Sequence, residues 1–145
     1  MHDISISVIR HTDPLYQAVW QLREDVLRKP LGMSLKNENL SMDGEDDILI
    51  AKLNGQVIGC LMLHPVSAEE MKFRQMAVDA AHQGTGVGRQ LMVFGEQHTR
   101  NLKHKKITLH ARMVAKPFYD KLGYETVEGV FEEVGIPHMK MYKVL

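Results

Sequence analysis

With one cysteine in 145 residues, the chain can form no internal disulfide. Its core has to hold without covalent staples, and a lone thiol suits a reducing cytoplasm. There is no excess of charge of either sign: 18 Lys and Arg balance 18 Asp and Glu. A neutral total supplies no broad basic field, so neither nucleic acid nor a membrane surface is an expected partner. No apolar run approaches the ~18 residues of a spanning helix. The opening Met1-His2-Asp3-Ile4-Ser5 lacks the basic stretch and apolar run of a secretory leader. No repeat or low-complexity tract divides the chain, which reads as a single domain over residues 1–145. The length is that of an ordinary domain of roughly 100–150 residues, enough to bury a core unaided. What the chain does have is a surplus of histidine, eight in all.

Hydrophobic periodicity gives the order of elements. Residues 4–10 alternate as a half-buried strand. Asp13 and Pro14 open a helix whose apolar face is Leu15, Val19, Leu22 and Val26, ending near Pro30. Residues 31–47 lose the pattern, apart from a short helix expected over 35–40. A loop of that length in a compact domain points to function. Its Asp43, Glu45, Asp46 and Asp47 either attract a cationic ligand or are merely solvated. Strands over 48–53 and 56–63 flank Asn54-Gly55, a hairpin turn. A strand over 71–78 leads into Gly84-Thr85-Gly86-Val87-Gly88. A helix over 87–101 follows, with Val87, Leu91 and Phe94 on one face. Then come a strand over 106–110, a helix over 114–122 stopped by Gly123, and strands over 124–130 and 138–144. The late strand-helix-strand units predict parallel pairing and the hairpin predicts antiparallel pairing, so the sheet is mixed with helices on its faces.

The glycine-rich turn carries the chemistry. Its glycines let the backbone approach a ligand, and the first amides of the following helix have no internal partners. With the helix dipole they form an anion site suited to a pyrophosphate. The turn is not a P-loop, because no Lys follows the glycines. It is not the dinucleotide fingerprint either, because Gly88 falls one residue early.

Gln83-Gly84-Thr85-Gly86-Val87-Gly88 resembles the Gln/Arg-x-x-Gly-x-Gly/Ala signature of the GNAT N-acetyltransferase family. Ala115-Lys116-Pro117-Phe118-Tyr119-Asp120-Lys121-Leu122-Gly123-Tyr124 is similar to that family's Ala-x-x-Phe-Tyr-x-x-x-Gly-Phe segment. Phe131-Glu132-Glu133 with Gly135-Ile136-Pro137-His138-Met139 resembles the C-terminal signature of small ElaA-like members. The resemblance implies an α/β (α+β mixed) GNAT fold, with a mostly antiparallel sheet of about six to seven strands and about four helices. It also implies an acetyl-CoA-dependent N-acetyltransferase acting on the amine of a small-molecule or peptide acceptor, with no metal. The alternative is an acetyl-CoA-binding sensor without turnover. A homodimer is left open.

By the same resemblance, Met76, Ala77 and Val78 form the strand edge along the pantetheine. Gln83, Gly84, Thr85, Gly86, Val87, Gly88 and Arg89 hold the pyrophosphate. Phe118 packs along the cofactor arm and Tyr119 protonates the departing sulfur. The usual Asn is replaced by Arg112, which reaches a phosphate or an acidic acceptor instead, or lies on the surface. No motif fixes the general base. His110 and His138, at strand ends, are the leading candidates, since histidine titrates near neutrality. His64, Glu70 and Glu133 are alternatives. His82 and Arg89 read as cations near the phosphates. His98, His104 and His110 are spaced by six, which does not make a metal site on one helix face. Cys60, inside an apolar strand, reads as a core residue.

Overall fold

The computed structural model describes residues 3–145. Met1 and His2, part of the opening that was read for a leader, lie outside the described residues. The chain builds one seven-stranded sheet. β1 (Ser5–Ile9) pairs with β2 (Asp47–Leu53), β2 with β3 (Gln56–Pro65), and β3 with β4 (Glu70–Val78), all antiparallel. β5 (Lys106–Arg112) lies parallel to β4. β7 (Ile136–Val144) is antiparallel to β5, and β6 (Glu125–Glu133) forms the outer edge. The order is β1-β2-β3-β4-β5-β7-β6. Of the late strand-helix-strand units, only the first makes a parallel pair. β6 does not return beside β5, because β6 and β7 form a hairpin that docks through β7.

Among the described residues three α-helices flank the sheet, where about four were expected: α1 (Tyr16–Arg23), α2 (Val87–Asn101) and α3 (Lys116–Lys121). Asp13 Oδ1 accepts from Leu15 N at 2.8 Å just before α1. The expected helix to Pro30 is continuous in path but not in kind. After Arg23 it widens into a π-helical turn, Glu24–Arg28, then tightens into a 3-10 turn, Lys29–Leu31. The helix expected over 35–40 is only a 3-10 turn, Leu35–Asn37, followed by another at Ser41–Glu45.

Strand alternation sends side chains to two unequal cores. α2 and α3 cover one face with Leu49, Leu61, Phe73 and Leu109. α1 covers the other with Ile9, Ile48, Ile50, Cys60 and Met62. α2 lies close to the sheet because two contact points lack a side chain. A Cβ on Gly95 would meet the Phe73 ring at 3.1 Å, and one on Gly59 would meet Val87 at 3.0 Å and Leu91 at 3.1 Å. The buried stripe of α2 therefore centres on Leu91, Met92, Gly95 and Thr99, and Phe94 falls just outside it, exposed.

Candidate active site

The sheet opens between its two parallel strands. β4 and β5 pair from Glu70↔Lys106 to Phe73↔Leu109 and no further, although both strands continue. A bulge on β4 is the cause. β3 pairs Cys60 with Ala77 and Met62 with Arg74, so Gln75 and Met76 together oppose Leu61. Gln75 takes a positive φ of 55°. Such a bulge bends the strand and ends regular pairing. The resulting cleft encloses about 450 Å³. A second strained residue faces into it: Val134, at φ 48° in the β6–β7 turn. Positive φ at a β-branched residue is uncommon and costs free energy.

The structure brings Met76, His110, Arg112, Tyr119 and His138 to the walls of this cleft. Tyr119 is buried in ring contact with Phe118 and Tyr124. Burial pushes its hydroxyl up to about 12, with no hydrogen bond contributing to the shift. His110 Nδ1 lies 3.0 Å from Glu133 Oε1. His138 is held by Nδ1–H donation to the Ile136 carbonyl at 2.7 Å, and its Nε2 lies 3.7 Å from Glu133 Oε2. Phe131 packs edge-on against His110 and stacks on His138. One carboxylate and one aromatic ring thus join the two histidines.

The glycine-rich turn lies beyond β4 and is linked to the cleft through Met76. A Cβ on Gly88 would lie 3.5 Å from Phe118 and 3.8 Å from Met76, which itself lines the cleft. Gly84 and Gly86 take positive φ, 77° and 92°. Gly86 caps α2, and its carbonyl accepts the first ladder bond from Gln90. The amides of Val87, Gly88 and Arg89 precede that ladder and point outward. Thr85 Oγ1 donates to the His82 carbonyl, and Gln83 Nε2 to the Val78 carbonyl at 2.9 Å, fixing the turn. Arg89 is exposed. His82 pairs with Asp79. The side chains of Ala77 and Val87 enter the two cores, so these residues offer a ligand only backbone.

Other expectations change. His64 does not face the cleft but binds Asp46 at 2.8 Å. The acidic loop is neither a cation attractor nor a solvated tract. Asp43 is buried and accepts from Tyr16 (2.6 Å), Arg23 (2.7 Å) and Arg74 (3.1 Å). Asp46 is buried beside Arg74 at 3.1 Å, and burial holds its carboxyl above the usual range despite that cation. Asp47 binds Arg10 and His98. Only Glu45 of the four is exposed. Cys60 is buried and burial pushes its thiol up to about 12, as a core residue would be. Glu70 accepts from Thr108. Among the described residues no His, Cys, Asp and Glu side chains group as a metal site, and no helix is long and apolar enough to cross a membrane.

Sequence reasoning missed Gln75, Val134, Lys72, Arg28 and Glu38, all of which line the cleft. For Val134 a signal existed: Val134-Gly135 stands between two strands as Asn54-Gly55 does. For Arg28 and Glu38, joined by two hydrogen bonds, no local pattern pointed to the pairing.

Residues 21–145 match the acetyltransferase (GNAT) domain family. The N-acetyltransferase YjcF of Bacillus subtilis, itself uncharacterised, is 25% identical over 138 residues, 94% of this chain and 98% of that one. A UPF0039 protein of Schizosaccharomyces pombe is 24% identical over 96 residues, which is 65% of this chain and 64% of its own length. A crystal structure assigned as an N-acetyltransferase of Lactobacillus plantarum superposes with a TM-score of 0.87 at 25% identity, covering 98% of each chain. ElaA of Escherichia coli shares the fold at a TM-score of 0.84 and 23% identity, covering 97% of this chain and 99% of its own. With a family match running from α1 through the splayed strands to the last residue, the chain belongs to the GNAT acetyltransferases.

Proposed function

We propose that the chain is an acetyl-CoA-dependent N-acetyltransferase that joins donor and acceptor amine in one ternary complex. The observation that carries this reading is the cleft itself. Two parallel strands separate beside a glycine-capped helix N-terminus, and the separation is lined by a protonated tyrosine and a histidine–carboxylate pair. The unpaired edge of β4 at Met76, Ala77 and Val78 suits an extended pantetheine arm. The turn from Gln83 and the outward amides of Val87, Gly88 and Arg89 into which it runs suit its pyrophosphate. Phe118 sits between that turn and Tyr119. A reducing, cytoplasmic setting suits the single thiol.

In the proposed reaction the neutral amine attacks the thioester carbonyl carbon. His110, oriented by Glu133, takes the amine proton through Nε2, and His138 borders the same wall. The C–N bond forms and the C–S bond breaks. Tyr119, which burial keeps protonated, passes its proton to the departing thiolate. Holding both reactants in one cleft removes much of the entropic barrier.

Release of free CoA from acetyl-CoA, measured against a panel of primary amines, tests this. Tyr119→Phe and His110→Gln are each expected to lower kcat on the order of 100-fold while acetyl-CoA affinity holds. If acetyl-CoA binds tightly but no amine raises release above hydrolysis, the chain is a binding sensor and not an enzyme.

A further inference from the structure

One wall of the cleft carries charge that acetyl transfer does not use. Phe73 packs on Gly95 of α2, so its neighbours Lys72 and Arg74 point to the opposite face of the sheet. Leu109 and Ala111 are buried in the α2-side core. His110 and Arg112 therefore face the same side as Lys72, and Arg112 stands in register with His138. Most charges on this wall are compensated. Arg74 is taken by Asp43 and Asp46 and Arg28 by Glu38, while Glu133 faces the two histidines and has no Lys or Arg partner among the described residues. Among the described residues Lys72 and Arg112 have no carboxylate partner, and both line the cleft. One guanidinium fork and one ammonium thus stand against the single carboxylate of Glu133, which is turned to the histidines, and the balance of the wall is positive.

Resting on the acetyl-transfer reading above, we propose that the acceptor is a small primary amine that also bears an anionic group, a carboxylate or a phosphate, bound by Arg112 and Lys72 with the amine beside His110. A guanidinium takes either anion through two parallel hydrogen bonds, and an ammonium adds a point charge. A second cationic group on the acceptor would meet two like charges. A cleft of about 450 Å³ has the size of small-molecule sites.

Four primary amines of similar length test this at saturating acetyl-CoA: β-alanine, O-phosphoethanolamine, ethanolamine and putrescine. One of the two anionic amines is expected to exceed ethanolamine in kcat/KM by about tenfold or more, with putrescine lowest. The two anionic arms separate carboxylate from phosphate. Lys72→Gln and Arg112→Gln should each remove about tenfold of that preference by raising the acceptor KM, with the acetyl-CoA KM unchanged. Both side chains are partly exposed and unpaired, so Tm should hold. A preference for ethanolamine or putrescine overturns the proposal. So does a rise in the acetyl-CoA KM of Arg112→Gln with the acceptor KM unmoved, which would assign Arg112 to the donor. If no amine reacts, calorimetry with inorganic phosphate on CoA-saturated protein still decides. Binding that Lys72→Gln and Arg112→Gln weaken keeps the anion site while the transfer reading falls. No binding overturns the anion site.

Discussion

The two sides of β4 are built on different principles. On the α2 side, the glycine-rich turn, the helix cap and the contact with Phe118 come from short contiguous segments packed against a large apolar core. On the α1 side, the wall is assembled from the π-helical turn, the loop over 31–47, β4, β5 and the β6–β7 hairpin. It is held by buried charge: Arg23, Asp43, Arg74, Asp46 and His64 form one chain of contacts. A cofactor with fixed chemistry can be met by a fixed local motif. A wall that receives a particular acceptor needs side chains from distant segments, and charges are directional enough to hold those segments in place.

The largest expected effect breaks the charged side alone. Asp43→Asn leaves Arg23 and Arg74 without their shared carboxylate in a buried setting, and Arg23 already has two nitrogens unpartnered. The loss should be about 3–5 kcal/mol, lowering Tm by roughly 10 °C in thermal unfolding. Asp25→Asn, which alters only exposed contacts with Lys29 and Gln21, should leave Tm unchanged. Equal Tm for the two variants would mean that buried charge does not hold the α1 side together.

A smaller effect isolates the glycine side. Gly86→Val places a β-branched residue at φ 92°, straining the start of α2 by about 1–2 kcal/mol. The KM for acetyl-CoA should rise about tenfold or more while the acceptor KM stays unchanged. A folded variant with normal acetyl-CoA binding would remove the turn from the donor site.

The smallest change to be read, the shift of a single tyrosine, is alkaline. Burial pushes Tyr16 and Tyr119 up to about 12 from 10.0, and Cys60 up to about 12 from 9.0. The folded chain then holds protons that the unfolded chain has released. This stability is fully present below about pH 9 and is lost as pH rises from there toward 12. Burial is the first cause at Tyr16, and its hydrogen bond to Asp43 adds to it; burial alone acts at Tyr119. Absorbance titration near 295 nm should show one tyrosine shifting downward in Asp43→Asn and Tyr119 unmoved. A shift in both would mean that the two sides are not independent.

What was legible before the structure is local, on the glycine side above all. Asp13, Asn54-Gly55 and the run from Gly84 to Gly88 are local signals, because caps and turns demand particular residues at particular positions. Tyr119 was singled out by the family resemblance, and His110 and His138 by residue type and placement at strand ends; the structure brings the three to one cleft. The acidic loop was misread because pairing across 20 to 31 residues leaves no periodic trace. Val134 was missed because a β-branched residue is a poor turn former, and only the docked hairpin holds it at positive φ. The bulge at Gln75 has no marker in a strand that otherwise alternates.

The sequence by itself determined the elements, their order, the glycine-capped helix and the family motifs, since these depend on neighbours within a few residues. Tertiary structure decided the rest. It inserted β7 between β5 and β6 and split β4 from β5 at the bulge. It buried Asp43 between two arginines, and it left Lys72 and Arg112 uncompensated in the cleft. Charge compensation and strand separation depend on which distant groups meet, and that is fixed only when the sheet closes.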